Sequence, residues 1–184
     1  MQKSKNANNL ENKQKLIILG LGNPKEELNF TYHNIGILFT EFLNKEKVWK
    51  VKNKFSYCQF KNYILVKSNE YMNNSGEAVL ETLNFFKIKP ENLILVHDDA
   101  DLLLGTYKIQ YGKNSAGHHG IISIINTLKT KNFWRVRIGI RPPNQKAKAE
   151  SFVLKKIIPA HLKIFEELFP KIELNLKKLF KTKN

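Results

Sequence analysis

The chain has 184 residues, 42% of them hydrophobic, which is enough for one core and too apolar for a disordered segment. Its 31 Lys and Arg against 16 Asp and Glu leave a formal net charge of +15, which points to a polyanionic partner such as RNA, DNA or an anionic membrane. No apolar run approaches the ~20 residues of a membrane span, and a lone cysteine, Cys58, can form no internal disulfide, so a reducing compartment is expected.

The start, MQKSKNANNLENKQ, has no apolar signal region and, with no arginine and with Glu11, does not read as a mitochondrial transit peptide. Residues 1–14 are polar and aperiodic and are expected to form a disordered arm, with 15–184 as one domain. LIILGLGNP is a continuous apolar run closed by Gly and Pro, the pattern of a buried parallel strand entering a tight turn. NIGILFTEFLNK repeats Ile35, Leu38, Phe39 and Phe42 at helical spacing. FSYCQF is strand-like, which makes Cys58 a buried inert thiol rather than a nucleophile.

NYILVKS is a second buried strand. The following NNSGEAVLETLNFFKI predicts a helix capped by Asn74 or Ser75, with Glu77 as the acid of a capping box. Val79, Leu80, Leu83 and Phe86 are its expected inner stripe. LILVHDDAD predicts a third buried strand, stopped by its acids. TYKIQYGK alternates, with Tyr107, Ile109 and Tyr111 on one side and Lys108 and Gln110 on the other. NSAGHHGIISIINTL is a glycine-flanked turn into a helix. FWRVRIGI is a further strand with Arg135 and Arg137 on one face, and RPPNQKAKAES a loop. From Pro159 a Lys-rich amphipathic helix is expected, interrupted or kinked near Pro170. Its Leu162, Phe165 and Leu168 should dock on the domain rather than on a membrane surface.

Strands alternating with helices imply a single-domain α/β fold: a twisted, mostly parallel mixed sheet with helices on both faces. Such sheets bind ligands beyond the carboxyl ends of their strands. Asn23 follows the first strand, Asn73 follows the second and Asp98 ends the third, while His33 lies just after Asn23. The four should meet at one edge.

GLGNP lacks the third glycine of a dinucleotide fingerprint, having Lys25 there, so no nucleotide cofactor is expected. No cluster has structural-zinc spacing, and His118 and His119 are adjacent rather than on one helical face, so no metal is expected either. His33 has two readings, a histidine near a helix N-cap or a general base titrating near neutrality. A base needs an orienting acid, for which Asp98 is the best placed, with Asp99 and Asp101 as rivals. Asn23 and Asn73 are either turn formers or neutral groups that hold a water or polarise a carbonyl. The helix start at GHHG offers backbone N–H groups to an anion. The face carrying Lys108, Arg135 and Arg137 is either a solvated strand face or a phosphate clamp.

Four ordered blocks, LIILGLGNPKEELNFTYHNIG, KSNEYMNNSGEAV, LILVHDDADLLLGTYKIQYGKNSAGHHGI and FWRVRIGIRPP, resemble the bacterial-type peptidyl-tRNA hydrolases over roughly residues 15–154. The resemblance implies a cytoplasmic enzyme, without metal or cofactor, that cuts the ester between a stalled peptide and the 3′ end of tRNA. It implies His33 as the base, Asp98 as the orienting acid, and Asn23 and Asn73 as side chains placing substrate and water. Tyr71 falls where the family has an aromatic residue lining the cleft, and Lys108 and Arg137 fall where it takes tRNA phosphate. Peptidyl-tRNA is then the expected partner of a monomer that needs no obligate protein partner and no membrane. Departures from the family pattern are Lys25, Leu28, Tyr32, Gln110 and His119, the last replacing an asparagine that contacts substrate and water. The competing reading is a non-catalytic RNA-binding protein on the same scaffold, as in relatives that act in splicing. Retention of His33, Asp98, Asn23 and Asn73 together favours the enzyme.

Overall fold

The computed structural model describes residues 15–45, 47–143 and 151–182. The arm expected over 1–14 and most of the loop expected after Arg141 lie outside the described residues. The strands are β1 (Leu16–Gly20), β2 (Lys50–Val51), β3 (Phe55–Gln59), β4 (Tyr63–Ser68), β5 (Leu93–Leu103), β6 (Tyr107–Tyr111) and β7 (Trp134–Arg141). They form one seven-stranded sheet in the order β2-β3-β4-β1-β5-β7-β6. Its centre, β4-β1-β5-β7, is parallel, and antiparallel strands close both edges. The apolar runs of β1, β4 and β5 are continuous because these strands are covered on both faces.

Successive residues divide between two cores, as the two-residue period of a strand requires. Ile18, Leu65, Ile94 and Val96 face α1 (Ile35–Asn44) and α4 (Pro159–Thr182). Ile17, Leu19, Ile64, Val66 and Leu95 face α2 (Ser75–Phe86) and α3 (His119–Leu128). Helices therefore cover both faces of a mixed, mainly parallel sheet, as the sequence predicts. Phe165 and Leu168 of α4 are buried and Leu162 packs against the same core, so the helix docks on the domain.

One close approach places the site. A Cβ on Gly36 would lie 2.2 Å from the Val96 carbonyl oxygen, and one on Gly20 2.3 Å from the Gly36 carbonyl oxygen. Glycine at both positions lets the start of α1 sit directly on β1 and β5, so the residues just before it, 33 and 34, stand over the carboxyl ends of those strands.

Four local expectations are corrected. β5 is not stopped at its acids; it runs on to Leu103, with its register against β7 shifting between Asp99 and Leu103. α2 has no side-chain cap, and the Ser75 hydroxyl donates instead to the Met72 carbonyl at 2.8 Å. Leu80 is 40% exposed, and Ala78 and Thr82 join Val79 and Leu83 on the buried face. α4 is not interrupted at Pro170; it continues through it as one helix of 24 residues. Its buried Phe169 and Ile172 on either side hold the helix together where the proline removes a backbone bond.

Candidate functional site

The loop after β1 is held by a reciprocal pair of asparagines. The Asn23 backbone N–H donates to Asn34 Oδ1 at 2.8 Å, and Asn34 Nδ2 returns a bond to the Asn23 carbonyl at 2.9 Å. The Met72 N–H donates to Asn23 Oδ1 at 2.9 Å, tying the loop after β1 to the turn after β4. These bonds leave Asn23 Nδ2 as the one group of that side chain without a partner among the described residues.

His33 sits on the short 3-10 turn Tyr32–Asn34 before α1. Its backbone N–H donates to the Val153 carbonyl at 2.8 Å. Its Nδ1 lies 2.8 Å from Asp98 Oδ1, with the two side chains 14% and 3% exposed. A carboxylate accepts and cannot donate, so the proton of a neutral His33 is on Nδ1 and its Nε2 carries the lone pair. His33 lines a cleft of about 350 Å³ together with Asp99, Asp101, His118, His119 and the Ser115–Gly117 loop. Of the three candidate acids, Asp98 bonds His33, whereas Asp99 accepts from Arg137 Nε and the Asp101 N–H.

His118 is the residue the sequence reading missed. Its Nε2 lies 3.0 Å from the same Asp98 oxygen, and its Nδ1 accepts a long bond from the Ile121 N–H at 3.4 Å. The amide fixes Nδ1 as an acceptor, which leaves the Nε2 proton for Asp98. Burial alone would push the Asp98 carboxyl up, but His118 and His33 outweigh it and hold the group well below the usual carboxylate range. His33, Asp98 and His118 also present one ligand atom each within 4.8 Å of one another. This set could hold a divalent cation, although both ring N–H groups already bond Asp98. The three are so far apart in sequence that spacing carries no sign of the grouping.

A further histidine backs the cluster. His97 is fully buried, its ring centroid is 4.6 Å from that of His118, and its Nδ1 donates to the Asp98 carbonyl at 2.6 Å. Its Nε2 is buried without a partner among the described residues. Burial first, then His118, lowers its pKa well below the ordinary histidine value, so the folded protein keeps it neutral. The unfolded chain takes up this proton near pH ~6.5 and the folded one does not. The stability tied to His97 is therefore full above about pH 6.5 and falls as the pH drops, by about 1.4 kcal/mol per pH unit for one site. Urea unfolding between pH 7.5 and 5.5 should show this slope, and His97→Asn should flatten it. An equal slope in both proteins would show that the acid sensitivity lies elsewhere.

Of the other expected residues, His119 lines the cleft with His33, and Asn23, Tyr71, Asn73, Lys108 and Arg137 do not. His119 is exposed at the first position of α3 and lines the cleft. Asn73 is exposed on the turn Met72–Asn74, one residue from the Met72 amide that holds Asn23. Tyr71 is exposed beside it, with the Lys25 ammonium 5.9 Å from its ring centroid, so the lysine that replaces a family glycine packs on that aromatic. Lys108 is exposed on β6, paired in register with Arg137. Arg137 is largely buried, bonded to Asp99 and, at 2.9 Å, to Gln110 Oε1. Arg135 does not belong to a phosphate-binding face. It is buried and donates to the Asn114 carbonyl at 2.8 Å, holding the loop that leads into α3. Strand alternation correctly puts 135 and 137 on one face, but that face lies under the 112–118 loop at 135.

Comparison with known proteins shows the family of the chain. The sequence profile described as peptidyl-tRNA hydrolase matches residues 17–184. The peptidyl-tRNA hydrolase of Mycoplasmopsis synoviae is 39% identical over 82% of this chain and 81% of its own length. That of Caldicellulosiruptor bescii is 45% identical over 69% of this chain and 71% of its own. Among solved structures, the peptidyl-tRNA hydrolase of Acinetobacter baumannii superposes with a TM-score of 0.80 at 28% identity, covering 92% of this chain and 90% of that one. Fold, profile and relatives agree that the chain belongs to the peptidyl-tRNA hydrolase family.

Proposed function

We propose that this protein hydrolyses the ester joining a peptide, or an N-blocked amino acid, to the 3′ end of tRNA, and so recycles tRNA from stalled translation. The observation that carries the reading is His33 Nδ1 at 2.8 Å from Asp98 in an open cleft, which leaves Nε2 free to act on a water. His33 takes a proton from that water as the oxygen adds to the ester carbonyl, and Asp98 stabilises the imidazolium that forms. The tetrahedral intermediate collapses, and His33 returns the proton to the departing ribose oxygen. An alkoxide leaves more readily than an amide nitrogen, so a His–Asp pair with neutral donors suffices, and no metal or cofactor enters the mechanism. Asn23 Nδ2, Asn73 and His119 are the donors assigned to the substrate carbonyls and the developing oxyanion, and Tyr71 flanks them.

The net charge of +15 supports a tRNA partner. Lys108 is the exposed cation assigned to tRNA phosphate, and Arg137 joins it by exchanging its Asp99 contact. No helix among the described residues is long and apolar enough to cross a membrane. The protein acts as a monomer in the cytoplasm, where its substrate is made. The non-catalytic RNA-binding reading has no observation in its favour, since a binder has no use for a histidine oriented by a buried carboxylate.

The test is release of N-acetyl-amino acid from N-acetyl-aminoacyl-tRNA by the full chain. Turnover is expected near neutral pH, and no cleavage at any pH from 6 to 9 would overturn the reading.

A further inference from the structure

His33 stands on the turn Tyr32–Asn34, and the residue before it, Tyr32, is one of the departures from the family pattern. The chain through this turn runs beside the segment 153–157. The Tyr32 and His33 N–H groups donate to the Lys155 and Val153 carbonyls at 3.3 and 2.8 Å, and the Ile157 N–H donates to the Phe30 carbonyl at 2.8 Å. Those bonds are made by the backbone. The Tyr32 side chain adds a tie of another kind. It is buried, and its hydroxyl lies 2.6 Å from Nδ1 of His161, a residue 129 positions away in the first turn of α4. We propose that His161 is a positioning residue for the hydrolysis: through the Tyr32 hydroxyl it fixes the turn that carries His33, and so the aim of that imidazole. The inference rests on the ester-hydrolase reading and adds to it a residue outside the cleft.

The bonds around the hydroxyl allow one arrangement of protons. The Ile158 backbone N–H also bonds it, and an amide N–H can only donate. The hydroxyl accepts there, and its own proton goes to His161 Nδ1, which places the imidazole proton on Nε2. Burial lowers the His161 pKa, so the ring stays neutral and accepts. The Ile158 carbonyl in turn accepts from the His161 and Leu162 N–H groups at 2.9 and 3.0 Å. Tyr32 is thereby fastened to the opening of α4, and α4 is anchored in the core by Phe165 and Phe169. The Tyr32 ring stands edge-on to Phe152 and His161, with centroids 6.0 and 5.9 Å away.

A buried, packed tyrosine is by itself a stability feature. This one bears on the chemistry because of its place. One peptide bond joins it to His33, whose ring must meet Asp98 on one nitrogen and a water on the other. The backbone bonds fix where residue 33 lies, but a turn of three residues still tilts about them, and the Tyr32 hydroxyl holds it from the far side. A displacement of ~1 Å at a reacting group can cost about 10²-fold in rate. Neither Tyr32 nor His161 lines the cleft, so their loss should not appear in substrate binding.

The experiment measures kcat and KM on N-acetyl-aminoacyl-tRNA for the full chain as wild type, Tyr32→Phe, His161→Ala, His161→Asn and Tyr32→Phe combined with His161→Ala. Tyr32→Phe keeps the buried ring and removes only the hydroxyl. Tyr32→Phe and His161→Ala should each lower kcat about 3- to 10-fold at unchanged KM, part of the full cost of a displaced base. The double variant should be no slower than the slower single one, because the two residues share one bond. His161→Asn, whose Oδ1 can stand where Nδ1 stands, should restore kcat to within about twofold of wild type. With wild type active, a kcat unchanged in both single variants, a loss that falls on KM, or losses that multiply in the double variant overturns the positioning role and leaves the hydrolase reading intact. Failure of wild type to cleave overturns the hydrolase reading and the positioning role with it.

Discussion

Replacing His33 with alanine is expected to lower kcat on N-acetyl-aminoacyl-tRNA by about 10²–10⁴-fold, the usual weight of a positioned general base. The loss should fall on kcat rather than on tRNA affinity. Binding is assigned to Lys108 and the basic surface, and the phosphate contribution does not pass through His33. The fold should tolerate the change, because the bond from residue 33 to Val153 is made by the backbone and survives it. Loss of the imidazole leaves Asp98 with the His118 N–H as its remaining side-chain partner, so the carboxylate is not stranded. Single-turnover cleavage and filter binding of the same tRNA separate the two effects. A kcat within tenfold of wild type would remove His33 from the chemistry, and a matching loss of affinity would make it a binding residue.

What could be read from the sequence depended on whether the signal was local. The apolar runs of β1, β4 and β5 and the periodicity of α1 are local, and they led to the sheet and its covered faces. The choice of Asp98 came from one non-local rule, that parallel strands end at the ligand edge, and it needed only the strand to be right. β5 runs past its acids, yet Asp98, which pairs with Ile138 of β7, is still the acid at that edge that bonds His33. His118 and Asn34 were missed for a different reason. Each bonds a residue distant in the chain, through Asp98 and Asn23, and no spacing in the sequence records such a meeting. Arg135 shows the limit of strand alternation, which reports the face but not what covers it. Leu80 shows the same for a helix, where a plausible stripe was turned by one position because Ala78 and Thr82 pack as closely as larger residues. Residues 97–99, written simply as an acidic strand end, hold three separate tasks: a neutral buried histidine, an orienting carboxylate and a partner for Arg137.

Asp98→Asn should cost about 10³–10⁴-fold in kcat, a loss comparable to that of His33→Ala, although the side chain keeps its size and one oxygen acceptor. The substitution puts a neutral amide where an imidazolium forms in the transition state. The new NH₂ group would also compete with the two ring N–H groups that now converge on one oxygen, which allows His33 to turn or to take the other tautomer. Stability should respond as well. The wild-type carboxyl is held below its ordinary range, so its contribution is full above about pH 4 and drains as the pH falls further, a window separate from that of His97. Asp98→Asn should lose the contribution at neutral pH, about 1–3 kcal/mol for a buried charge-assisted bond, and should show less acid dependence below pH 4. A destabilised protein and an inactive one must be told apart, and the double variant does so. If Asp98 acts on the reaction through His33, the pair behaves as a unit, and His33→Ala with Asp98→Asn is no slower than His33→Ala alone. Losses that multiply would mean that Asp98 has a second route to the substrate, and its other hydrogen-bond partner, His118, would be that route.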